Sequence, residues 1–80
     1  MVEIINVKYL EEYKLELTFD TNEVKTVDLK DRIFNSYKGV LLALKDKTFF
    51  EQVKVDKELG TVCWPNEIDL APETLYELSV

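Results

Sequence analysis

Asp69 and Glu73 stand four residues apart in this chain, with Trp64 upstream of them and Tyr76 downstream. Paired carboxylates beside aromatic rings can serve as general acid and base, or can hold a cation. Capping explains the pair more simply. An Asp just before a helix start accepts backbone N–H bonds and contributes about 1 kcal/mol, so the spacing predicts a structural role for Asp69 ahead of a site. Trp64 and Tyr76 are amphipathic rings at the edges of predicted elements, a type that anchors partners when exposed and fills cores when buried. A core position is expected for both. Cys63, the single cysteine, falls between Val62 and Trp64 in a predicted strand, where a free thiol behaves as a small buried hydrophobe.

The absent residue types exclude more than the present ones assign. The chain has no histidine, which removes Ser-His-Asp and Cys-His nucleophilic sites and any imidazole base. One cysteine without histidine cannot build a structural zinc site, and Gly39 and Gly60 cannot assemble a phosphate-cradling loop. No metal or cofactor is expected.

Those residues must be positioned by a small fold. With 80 residues, 46% of them hydrophobic, the chain reads as a single domain with one core over residues 1–80. Its longest uncharged apolar run, Val40 to Leu44, is far short of the roughly 20 residues that cross a bilayer. Glu3 stands where a signal peptide carries basic charge, so a cytoplasmic protein without membrane association is expected. Sixteen acidic against ten basic residues give a net charge of −6. That balance repels polyphosphate and disfavours nucleic-acid binding by this domain alone, while leaving a basic protein partner open.

Tyr13, Leu15, Leu17 and Phe19 alternate with polar residues, as do Ile5, Val7 and Tyr9, and Glu11-Glu12 separates the runs. The pattern predicts an antiparallel hairpin. Asp20-Thr21-Asn22 is turn chemistry leading to a third strand over Val24 to Leu29, which completes a meander. A helical turn over 28–34 is expected, with Asp31 as its cap and Ile33 and Phe34 available for burial. Gly39 stops it, and Val40 to Leu44 is expected in the core. Asp46 should cap a short helix through Gln52. A second hairpin is predicted from Lys54-Val55-Asp56 and Thr61 to Trp64, with Gly60 at positive φ. Pro65 ends that strand and Asn66 suits the turn after it. Pro72 then opens a C-terminal helix in which Leu70 staples onto Leu75, and Leu75 and Leu78 share a side. The predicted class is α+β: an antiparallel sheet, made of the N-terminal meander and the second hairpin, packed against two short helices.

In this order the pattern resembles the bacterial family known as domain of unknown function 2442. The resemblance rests on Val7, Leu15-x-Leu17-x-Phe19, Val27-Asp28-Leu29, Leu44-x-Asp46 with Phe50 and Val53, and Val55-Asp56. Its most specific block is Trp64-Pro65-Asn66 with Asp69, Pro72, Leu75 and Tyr76. Glu67 replaces a glycine common in members, and Thr21-Asn22 replaces a common Asp-Gly turn. The resemblance implies a small α+β domain, found alone or joined to a helix-turn-helix region for which these 80 residues leave no room. It also implies a neighbouring gene for another small protein.

Three functional readings follow. The first is a non-enzymatic interaction module that binds a small protein partner and regulates a neighbouring gene product, as an antitoxin does. The second is an accessory domain or small transcriptional regulator, and the third an enzyme using Asp69, Glu73 and Tyr76. Exposed sheet edges could also pair two chains in a homodimer.

Overall fold

The computed structural model describes residues 2–35, 42–66 and 68–80. Strands β1 (Ile4–Tyr9), β2 (Lys14–Phe19) and β3 (Val24–Asp28) form an antiparallel meander in the order β1-β2-β3. Helix α1 (Lys30–Phe34), a 3-10 turn (Ala43–Lys45) and helix α2 (Lys47–Phe50) follow. Strands β4 (Lys54–Asp56) and β5 (Thr61–Cys63) then pair as a separate two-stranded sheet, and helix α3 (Pro72–Leu78) closes the fold. The α+β architecture is therefore the expected one, with the second hairpin forming its own sheet. Ile4 N–H donates to Gly60 C=O at 2.8 Å and ties β1 to that hairpin.

Period-two alternation places Leu15, Leu17 and Phe19 at zero exposure on the inner face of β2. Opposite them, Tyr9 pairs with Leu15 and Val7 with Leu17. Phe19, however, faces Ile4 and not Ile5, because the register slips between Ile4 and Asn6. Ile5 is the extra residue of a bulge and stands 53% exposed, whereas simple alternation placed it inside.

The two meander turns differ in chemistry. Phe19 N–H bonds Glu23 C=O and Asn22 N–H bonds Phe19 C=O, with Asn22 at φ 72. This is a three-residue hairpin loop with Asn in its left-handed position, as the sequence suggests. In the other turn Glu12 (φ 49) and Tyr13 (φ 68) are both left-handed, which two bulky residues rarely adopt. Tyr13 is thus a turn residue, not the start of β2. It remains buried, donates its hydroxyl to Lys45 C=O and meets Phe34 and Phe50 edge-on.

Several local expectations shift by a residue or two. Asp28, not Asp31, holds the start of α1, accepting the Lys30 N–H at 3.0 Å, and β3 accordingly stops at Asp28. Ile33 is buried and Phe34 is 45% exposed. Asp46 caps α2 through Thr48 N–H at 2.9 Å, but that helix ends at Phe50 before Gln52. Leu44 is core while Leu42 faces out, and Gly39, Val40 and Leu41 lie outside the described residues. Among the described residues, no helix is long and apolar enough to cross a membrane.

Candidate functional site

The block from Trp64 to Tyr76 begins where β5 runs out of partners. Pro65 cannot donate to a ladder, so pairing stops at Cys63 and the chain reverses. Asn66 accepts the Ile68 N–H at 3.2 Å across the reversal, and Trp64 N–H donates to Ile68 C=O at 3.0 Å. Asp69 then bridges back to Cys63 in antiparallel fashion, and the Thr61 hydroxyl donates to Leu70 C=O. The loop is a hook that lays residues 68–70 alongside β5. Glu67 lies outside the described residues.

Trp64 is the pin of this hook. It is 1% exposed, and its indole N–H donates to Phe50 C=O at 2.9 Å. A buried indole with its one donor satisfied belongs to the core, as expected. Leu75 is fully buried and Leu70 packs partly against the same cluster, which is the staple geometry around Ala71 and Pro72. The other side of α3 departs from expectation. Ser79 is buried beyond Leu75, while Leu78 is 45% exposed, because four residues return to one side of a helix more closely than three.

Asp69 does not cap α3. The cap position belongs to Ala71, which makes no side-chain bond, while the bridge to Cys63 holds Asp69 two residues upstream with its side chain exposed. It lines instead a groove of about 460 Å³ with Lys54, Asp56, Leu59, Cys63, Trp64 and Pro65. The hairpin wall is rigidly built. Asp56 Oδ1 accepts N–H bonds from Glu58 and Leu59 at 2.9 and 3.2 Å, and Gly60 N–H donates to Asp56 C=O at 2.8 Å. Gly60 sits at φ 68, where a Cβ would come within 3.0 Å of Glu3 Cγ. Leu59 is 55% exposed at the rim. Among the described residues, no three potential metal ligands come together.

A family model described as "Protein of unknown function (DUF2442)" matches residues 4–80. The chain belongs to the DUF2442 family. No curated protein matches it. Among solved structures, a Nitrosomonas europaea protein named "Putative DNA Binding Protein" superposes with a TM-score of 0.82 at 24% identity. The match covers 98% of this chain and 48% of that protein, so the DUF2442 chain spans about half its length. At that identity the likeness is one of fold.

In this DUF2442 domain Tyr76 is separated in role from Asp69. Its hydroxyl lies 2.8 and 3.0 Å from the two Glu23 carboxylate oxygens and donates to them. Its ring meets Phe19 edge-on at 5.0 Å, with Lys25 Nζ 3.7 Å from its centroid. The Tyr76 hydroxyl first, and the Thr21 hydroxyl next, hold the Glu23 carboxyl below its ordinary value; slight desolvation opposes them, and Lys25 adds a weaker attraction. Sequence reasoning missed this cluster, since its members lie 53 residues apart and no local spacing signals the pairing. Glu73 stays exposed in the first turn of α3. The Asp69, Glu73 and Tyr76 group is thus spread over a groove rim, a helix surface and the β2–β3 turn.

Charge is unevenly placed along the DUF2442 chain. Residues 58–80 carry five acidic side chains and no basic one, Lys57 being the last lysine. Residues 30–50 carry five basic against two acidic.

Proposed function

We propose that this DUF2442 domain is a non-enzymatic, cytoplasmic interaction module that engages a basic segment of a partner protein along its acidic C-terminal part. The observation that carries this reading is the segregation of charge: the charged side chains from Glu58 to Glu77 are all acidic, and Leu59, Pro65 and Asp69 of that stretch rim the groove that Lys54 and Asp56 also line. Apolar rims with carboxylates beside them suit the aliphatic stems and cationic heads of Lys and Arg. The dispersal of Asp69, Glu73 and Tyr76 favours this reading over an acid–base enzyme, which needs its groups within reach of one reacting atom. Regulation of a neighbouring gene product in the manner of an antitoxin is the cellular form that the family resemblance suggests for it.

The test compares the tagged full chain with an Asp69→Asn, Glu73→Gln, Glu77→Gln triple variant. A partner recovered stoichiometrically from the host is purified and its affinity measured against both proteins. The proposal expects binding that weakens with salt and falls at least about tenfold in the variant, the size of change that exposed charge pairs can supply together. Equal affinities for both proteins would overturn it.

The name of the Nitrosomonas europaea relative favours a second reading, that the domain serves a DNA-binding protein. A net charge of −6 opposes direct contact with phosphates. Gel shifts at low salt with the native upstream DNA decide between the two.

A further inference from the structure

Strand β3 forms one edge of the meander. Leu15 faces Val27 and Leu17 faces Lys25 across β2–β3, and alternation turns the N–H and C=O groups of Val24, Thr26 and Asp28 outward. At Thr26 those groups are taken. Its N–H donates to Val80 C=O at 3.0 Å, and its C=O accepts the Val80 N–H at 2.9 Å. Val80 as a residue is 92% exposed, so these two bonds, and not packing, hold it in place. Val24, two residues along on the same sheet face, is 58% exposed.

We propose that the β3 edge is a surface for pairing with a second copy of this chain, and that Val80 guards it. When Val80 swings off, the Thr26 N–H and C=O become free to exchange bonds with Thr26 of the second copy about a two-fold axis. That register sets Val24 against Asp28 of the copy and Lys25 against Val27. No like charges meet, and two three-stranded meanders join into one continuous sheet. Some other registers are worse. Centring on Lys25 or on Asp28 puts like charges face to face, and centring on Val24 draws Asn22, at φ 72, into the ladder. Val80 competes with this pairing from within the chain and so keeps it weak, as natural sheets cover edges that would otherwise associate.

Val80→Pro removes the guard's N–H. Ser79, at φ −87 and ψ 157, already has the conformation that precedes proline. By sedimentation, this variant should dimerise about fivefold to tenfold more tightly than wild type, the worth of one backbone hydrogen bond. Adding Thr26→Pro, which removes the outward N–H at an edge position that tolerates proline, should return the chain to monomer. In the unmodified protein, amide exchange at Thr26 should slow as concentration rises. A folded Val80→Pro chain that associates no more than wild type, a dimer that survives Thr26→Pro, or Thr26 exchange independent of concentration would each overturn the proposal.

Discussion

Trp64 combines a fully buried ring with a single donor directed at the Phe50 carbonyl, so its replacement costs twice over. Trp64→Phe leaves that carbonyl without its partner and leaves space behind, and should lower stability by about 2–4 kcal/mol in urea unfolding. The native emission should be blue-shifted and little quenched by acrylamide, because water does not reach the indole. Glu23 makes a second prediction at this scale. Its folded carboxyl titrates below its unfolded value, so its contribution is present above the unfolded value and is lost as pH falls through the folded one. An NMR titration should show Tyr76→Phe moving the Glu23 midpoint upward, since the largest cause of the depression is then gone; an unmoved midpoint would refute the assignment.

At the scale of elements, the Glu12-Tyr13 turn holds two side chains in a conformation that favours Asn and Gly. Glu12 is exposed, so Glu12→Asn should relieve strain and raise stability by about 0.5–1 kcal/mol. Tyr13→Gly would relieve the neighbouring residue yet remove a buried ring, and should cost about 3 kcal/mol or more. Asp46→Ala removes the cap of α2 and should cost about 1 kcal/mol, read by the same unfolding experiment. These elements also mark what the sequence made legible. Alternation along β2, the Asn22 turn, Gly60, the Asp46 cap and the Leu70–Leu75 staple are local signals, and each lies where local chemistry puts it. The bulge was hidden because Ile4 and Ile5 are both apolar, so the alternation of Ile5 with Val7 and Tyr9 runs on past the slip without a break in pattern. Asp69 read as a cap because a linear spacing shows an Asp before a helix but not the bridge to Cys63 that holds it away. Of the candidate block, Trp64 and Leu75 were readable as core, whereas the Glu23–Tyr76 contact depends on the completed fold.

Taken whole, the molecule joins two small sheets through the backbone bond from Ile4 to Gly60 and a shared core that includes Phe50 and Trp64. Its acidic side chains dominate, and the isoelectric point is about 4.5. Affinity for a basic partner should therefore fade as pH approaches that value, with the loss spread over several carboxylates and not set by one residue; a single sharp midpoint would argue for a dedicated site instead. The bulge in β1 bears on how such a chain can vary in length. Ile5 adds one step that β2 does not match, so deleting it would leave Ile4 facing Phe19 and Val7 facing Leu17 in an unbroken ladder. Relatives could then lose a codon at this place without disturbing the interior, and an alignment of the family should carry a one-residue gap beside Ile5 while the lengths of β2 and β3 stay fixed.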